Sequence, residues 1–411
     1  MDFRSEVVRP WHRLLDWTVS PAGVRRLLGW SVPREVRTPE PLDLSRVERL
    51  GVVRLDGMGD LVVTTPFLRE LRRSAPRARI TLVVRSEWLP LMRSCPHIDE
   101  VLGFELPWRP DYRRQWNLRH AWRWARRELR PRRWDAVLVP QAHFGIIDAR
   151  WLAWFSGARI RAGRREGAGA HSDSGWSFLN DVWETPPSGH DVLNTLSWLE
   201  ALGGEVRDQS LFIDPGDAAR TEAARHLAGI SSGRVPVALG IGASQIEKVW
   251  PLERFEEIGR RLRSMGATLV LVGGSDFAEP ARKLVERLGE GVLDLTARLP
   301  LDVTAAVLGR CRLYVGNDSG PMHLAASMGL PVVEIVGWSA DVPDQMIGTP
   351  KRIGPWCERR RIVQPATTVV GLAVQIERVR VDEVWEAICS LLAEWPVAGL
   401  EVGSAGKGRL P

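Results

Sequence analysis

The chain is poor in cysteine and gives what it has no partner. Cys95, Cys311, Cys357 and Cys389 are scattered through 411 residues with no C-x-x-C pair. That spacing argues against a disulfide scaffold or a zinc site and fits a reducing cytoplasm. No D-x-D pair occurs. There is no run of about 18 apolar residues, so no membrane-spanning helix is expected. The N-terminus lacks the continuous apolar core of a secretory signal. Tyrosine is rare, with two against nineteen tryptophans, and Arg far outnumbers Lys. Both fit a compositional bias and carry little functional weight.

What is present is ordinary for a globular protein: 44% hydrophobic and 26% charged residues, in a chain long enough for two domains. The net charge of +6 is uneven. Residues 1–200 carry 32 basic and 24 acidic side chains, and residues 201–411 carry 24 and 26. A basic first half suits an anionic partner, whether a phosphorylated glycolipid, a membrane surface or a nucleic acid. Two readings stay open for the Trp- and Leu-rich stretches of residues 1–45: amphipathic helices on a membrane surface, or packing on the protein's own core.

The sequence is organised around Leu313 to Gly337, L-Y-V-G-N-D-S-G-P-M-H-L-A-A-S-M-G-L-P-V-V-E-I-V-G. It predicts strand, tight turn, short helix, strand. Pro321 suits the first helical position, Ser319 or Gly320 the N-cap, and Gly329 the stop. A helix N-terminus beyond a strand end offers free N–H groups and the positive end of a dipole, which suits a phosphate. Asp318, Ser319 and Gly320 also suit an ordinary turn and cap.

Earlier in the chain, Val52–Leu55 reads as a strand, Asp56–Asp60 as a Gly-containing loop and residues 61–71 as a helix. Residues 80–84 form the next strand, with Arg85 at its end. This order argues for a parallel sheet, whose ligands bind beyond the carboxyl ends of the strands. Asp60 suits either a helix cap or a catalytic carboxylate there. Residues 108–134 interleave Trp and Arg. They suit single-stranded nucleic acid or, better in the absence of any accompanying motif, a solvated basic helix with Trp facing the core. Residues 135–141 form another strand, entering a loop with His143. Residues 163–190 read as a flexible loop. Gly240 and Gly242 lack the third glycine of a dinucleotide fingerprint. Lys248, in a polar loop beyond a strand, is by itself an ordinary solvated lysine.

Three of these stretches share a resemblance. G-N-D-S-G-P-M-H-L-A-A is similar to the D-(S/T)-G-x-x-H signature of ADP-heptose:lipopolysaccharide heptosyltransferases, glycosyltransferase family 9. R-L-D-G-M-G-D-L-V-V-T-T-P resembles that family's opening (K/R)-x-x-x-x-G-D motif. G-A-S-Q-I-E-K-V-W-P-L-E-R-F resembles its G-A-(S/T)-x-x-x-K-x-W-P motif. Departures are Pro140 where an acidic residue is common, Ala297 in place of Gly, and Trp338–Asp341 in place of G-P-T-(D).

The resemblance implies an α/β, GT-B fold: two Rossmann-like domains with parallel sheets facing across a cleft. The expected divisions are an extension 1–45, an acceptor-side domain 46–207, a nucleotide-sugar domain 208–380, a crossing helix 381–396 and a flexible tail 397–411. It implies an inverting, metal-independent transfer of heptose or a related sugar from an ADP-sugar to a lipopolysaccharide core or similar anionic glycan, with no cofactor. Asp60 would be the base. Ser244, Lys248, Asp318, Ser319, Gly320 and His323 would hold the donor phosphates, and Asp276 or Glu279 the ribose. Arg85, Gln141, His143, Arg164 and Arg165 would face the acceptor. The expected place is the cytoplasm or the inner face of its membrane, with no nucleic acid. A different nucleotide sugar, a non-catalytic sugar-nucleotide module and a nucleic-acid or membrane-surface adaptor built on the basic first half remain the alternatives.

Overall fold

The computed structural model describes residues 41–106, 118–141, 147–166, 179, 181–185, 189–343, 348–367 and 374–400. The first sheet starts at β1 (Arg49–Val53), whose Leu50, Val52 and Val53 are buried as in a central parallel strand. The helix expected over 61–71 is two helices, α1 (Met58–Val63) and α2 (Thr65–Ser74). Pro66 has no N–H for the Val62 carbonyl, and the Thr65 hydroxyl donates to it instead at 2.7 Å. The chain continues through β2 (Arg79–Arg85), β3 (Glu100–Phe104), α3 (Leu118–Trp124), β4 (Ala136–Val139), α4 (Ile147–Phe155), β5 (Ile160–Glu166), β6 (Asp181–Thr185) and α5 (Asp191–Ala201). The strands pair in parallel in the order β3-β2-β1-β4-β5-β6.

The expectation of a loop over 163–190 is corrected at both ends, which belong to β5 and β6. β5 is Ile-Arg-Ala-Gly-Arg-Arg-Glu, too charged to read as a strand. It nonetheless pairs in parallel with β4 and β6, and its Arg164 is buried against an acidic partner, Asp191. The described part of the Trp- and Arg-rich segment turns Trp124 and Trp134 inward and leaves Arg123, Arg126 and Arg127 exposed.

The segment after α5 is strapped along α2. Arg207 N–H donates to Glu70 at 3.0 Å, Phe212 N–H to Thr65 Oγ1 at 2.9 Å, and Arg69 to the carbonyls of Asp208 and Ser210. A second sheet then forms from α6 (Gly216–Leu227), β7 (Val235–Gly240), α7 (Leu252–Ser264), β8 (Ala267–Val272), α8 (Ala278–Leu288), β9 (Val292–Asp294), α9 (Leu301–Leu308), β10 (Leu313–Asn317), α10 (Gly320–Ser327), β11 (Val332–Ile335) and β12 (Arg360–Val363). Its order is β12-β11-β10-β7-β8-β9, again all parallel. Counted from each half's own first strand, the two orders are the same, 3-2-1-4-5-6, the Rossmann arrangement. The C-terminal α11 (Val381–Glu394) packs Val384, Ile388, Leu391 and Leu392 into the core of the second sheet. No helix among the described residues is long and apolar enough to cross a membrane.

Candidate active site

The carboxyl ends of β1 and β10 meet. Gly57 is the N-cap of α1 and Ser319 that of α10. The two helices touch at their N-termini through a glycine on each side. A methyl group at Gly59 would overlap the His323 ring, and one at Gly320 would overlap the Met58 side chain. Only glycine permits so close an approach of backbone to side chain at these two points.

Asp60 lies in the first turn of α1. One carboxylate oxygen accepts the Gly57 N–H at 2.9 Å, so Asp60 does cap the helix, from its third position rather than from the N-cap. The other oxygen faces Arg54 Nη2 at 3.5 Å, and the side chain keeps 31% of its surface exposed. Arg54 is buried beneath it, with Asp56 at 2.8 Å and Asp191 at 3.6 Å. Burial opposes its charge, but the three carboxylates outweigh burial and raise its pKa. Burial pushes the Asp56 carboxyl up, to about 7, against the pull of Arg54.

Across the contact, Lys248 Nζ bonds Asp318 at 2.7 Å. Burial disfavours the ammonium, yet Asp318, then Glu334 and Asp60, raise its pKa overall, so it is charged. Buried Glu334 in β11 is raised well above the carboxylate range by desolvation and by Asp318. His323 is buried, desolvation lowers its pKa, and its Nδ1 has no hydrogen-bond partner among the described residues. The ring is therefore neutral at pH 7. Asn317 fixes the lysine loop by accepting the Trp250 N–H at 3.1 Å. Gly240 and Gly242 serve packing: Tyr314 fills the place of a Gly240 side chain, and Phe277 that of Gly242. Among the described residues, neither the Ser319 nor the Gly320 N–H donates to another backbone group.

The remaining sequence candidates scatter around this centre. Ser244 is exposed in the Lys248 loop, and Asp276 is exposed in the turn after β8. Glu279 is a surface partner of Arg282 at 2.8 Å, which holds its carboxyl below the usual range. Arg85 pairs with Glu87 at 2.7 Å and lies 5.1 Å over Trp88. Gln141 is buried just after β4. Arg164 is wholly buried, donating to Asp191 and, at 2.9 Å, to the Pro140 carbonyl, so it is committed inside the domain. Arg165 follows it in β5, and His143 lies outside the described residues. Sequence reasoning missed Asp191, His190 and Glu334, which no motif marks, and gave Arg54 no role although it opens one.

Comparison with known proteins bears on the same residues. Residues 122–367 match the family model of glycosyltransferase family 9 (heptosyltransferase). Lipopolysaccharide heptosyltransferase 3 of Escherichia coli is 24% identical over 289 residues, 68% of this chain and 80% of that protein. Lipopolysaccharide heptosyltransferase 1 of Pseudomonas aeruginosa is 25% identical over 292 residues, 70% of this chain and 78% of that one. Among solved structures, a glycosyl transferase of family 9 from Veillonella parvula superposes with a TM-score of 0.71 at 25% identity, over 87% of this chain and all of that one. The E. coli heptosyltransferase WaaC with ADP superposes at 0.63 and 18% identity, over 84% and 99%. With two Rossmann-ordered sheets meeting at their carboxyl ends and a family match across more than half its length, the chain is a GT-B glycosyltransferase and belongs to glycosyltransferase family 9.

Proposed function

We propose that the protein transfers a heptose, or a closely related sugar, from an ADP-sugar to a lipopolysaccharide core or similar anionic glycan. The observation that carries this is the meeting of Asp60 with the Lys248–Asp318 pair and the α10 N-terminus across the Gly59–His323 contact. One side offers an exposed carboxylate, the other a cation and free N–H groups. The E. coli and P. aeruginosa relatives named as lipopolysaccharide heptosyltransferases, and the neighbour solved with ADP, support the choice of donor and acceptor.

In this reading the diphosphate sits on the Ser319 and Gly320 amides, with Lys248 and Ser244 beside it. Donors aimed where charge develops on the leaving group lower the barrier most. Asp318 holds Lys248 in place, and neutral His323 closes the site. Asp276 or Glu279 takes the ribose. Asp60 accepts the proton of the acceptor hydroxyl. Attack from the face opposite the leaving group inverts the anomeric centre. Positive charge from Lys248 and the helix end supports a metal-independent reaction, as does the lack of a D-x-D pair in the sequence. Residues 46–207 serve as the acceptor side, with Arg85, Gln141, His143 and Arg165 as contacts. Residues 208–380 serve as the donor side. The acceptor places the work at the inner face of the cytoplasmic membrane.

A panel of nucleotide sugars tests the proposal. ADP-heptose should raise the melting temperature and be consumed with a heptose-free lipopolysaccharide core. Stabilisation and turnover by a UDP- or GDP-sugar alone would move the protein to another donor. Binding without turnover on any acceptor would make it a sugar-nucleotide-binding module.

A further inference from the structure

The reading of Asp60 as base leaves a buried ionic chain beneath it with no function. Arg164, Asp191 and Arg54 are each at most 1% exposed. Arg164 in β5 bonds one oxygen of Asp191, and the other lies 3.6 Å from Arg54 Nη2. The same Nη2 lies 3.5 Å from Asp60. One nitrogen is thus shared between an inner, buried carboxylate and an outer one that is partly exposed. Asp191 is itself clamped. Its neighbour His190 caps α5 by accepting the Val192 N–H on Nδ1 at 3.2 Å, and its Nε2 donates to the Gly354 carbonyl of the second half at 2.9 Å. Burying three charges is unfavourable unless each is paired, and a fold with no use for them is served as well by apolar side chains.

We propose that Asp191 is a positioning residue for sugar transfer: by competing for Arg54, it keeps that guanidinium from closing on Asp60 and leaves the carboxylate turned to the cleft. Without the charge of Asp191, Arg54 has the two carboxylates of the base loop alone. It draws in on Asp60 and pulls the oxygen away from the acceptor. Because the inference rests on Asp60 as base, its test is built around that residue.

The test uses wild type, Asp191→Asn, Asp60→Asn and the double variant. Asp191→Asn should lower kcat for transfer from ADP-heptose by about tenfold while leaving the Kd for ADP unchanged. In the Asp60→Asn background the same change should alter kcat by less than about twofold, because the two act as one unit. Equal losses in both backgrounds, or no loss in either, would overturn the proposal. Arg54→Lys keeps the charge but not the fork, and takes the place of Asp191→Asn if that variant does not fold. Should wild type transfer no sugar from any donor, the functional proposal fails on its own. The crystal structure of Asp191→Asn then decides the geometric part alone, that Asp191 holds Arg54 off Asp60: Asp60 drawn onto Arg54 supports it, and Asp60 unmoved at its present separation refutes it, while a role in transfer falls with the functional proposal.

Discussion

Lys248 Nζ lies 2.7 Å from Asp318 Oδ2, a pair separated by 70 residues of sequence and joined at the carboxyl ends of β7 and β10. Asp318 takes one of the three ammonium donors and leaves two for a ligand. Lys248→Met should weaken ADP binding about 10- to 100-fold, the worth of one charge-assisted hydrogen bond. It also leaves Asp318 buried alone, so a fall in melting temperature is expected with it. Lys248→Arg should recover most of the stability. Calorimetry with ADP reads the affinity, and equal Kd values in wild type and Lys248→Met would take Lys248 out of the donor site.

Asp60 has two jobs that one substitution separates. Asn still accepts the Gly57 N–H, so Asp60→Asn should keep the helix cap and lose under about 1 kcal/mol of stability. It cannot receive a proton as a carboxylate does, so kcat should fall about 10²- to 10⁴-fold with ADP affinity intact. Turnover close to wild type would return Asp60 to a purely structural role.

Gly59→Ala should hold the halves apart, because its methyl meets the His323 ring. Overpacking of this kind opposes the close-packed form by about 1–3 kcal/mol, so kcat/KM should fall about 10- to 100-fold. Small-angle scattering should show a larger radius of gyration. Adding His323→Ala should restore the compact form in scattering even where activity stays low. An unchanged radius in Gly59→Ala would mean the contact yields locally.

His190 gives a pH dependence whose sign follows from its surroundings. Burial lowers its pKa to about 4, the Gly354 carbonyl and Asp191 oppose that, and His323 and Arg360 add to it. The unfolded chain binds a proton near pH 6.5 that the folded chain refuses until about pH 4. Stability from this group is therefore full above about pH 6.5 and is lost as the pH falls towards 4, by up to about 3 kcal/mol. Denaturant midpoints at pH 7 and pH 4.5 should differ less in His190→Gln than in wild type. Equal differences would assign the acid sensitivity to other groups.

Acceptor binding to the basic first half should weaken as salt rises from 50 to 500 mM, since exposed charges are screened within about 10 Å at 0.1 M. Salt-independent binding of a phosphorylated core oligosaccharide would place its contacts elsewhere. Retention of nucleic acid at physiological salt would favour the adaptor reading of this half.

Leu313–Val315 was legible as a strand because it is a short apolar run ending in Gly, and it lies in β10. The strand read over Val52–Leu55 is real but displaced: β1 runs Arg49–Val53, taking in Arg49 before the apolar run and ending ahead of Arg54 and Leu55. β5 was not legible, because pairing across the fold hides its charge. Arg164 is buried together with Asp191, 27 residues on, which accepts from it, and no local pattern records such a bond. The split between α1 and α2 is legible in principle from Pro66, which cannot donate to the Val62 carbonyl and so ends the first helix despite the continuous apolar run. The candidate site followed the same division. Lys248, Asp318 and Asp60 sit in motifs, whereas Asp191, His190 and Glu334 gain meaning only from what folding brings beside them.

The reciprocal glycines at the meeting of the two helices also bear on how the halves move. His323 seats in the hollow left by Gly59, and Met58 in that left by Gly320, one projection from each side. Two interlocked projections resist sliding, because any sideways step drives a side chain into backbone. Separation along the line of approach meets no such wall. At this contact shear is therefore blocked, while hinge opening is opposed elsewhere, by the apolar cluster the two halves share and by the His190–Gly354 hydrogen bond. Where the halves do part, the gap widens like a jaw, and each closure would return the two helix ends to the same register.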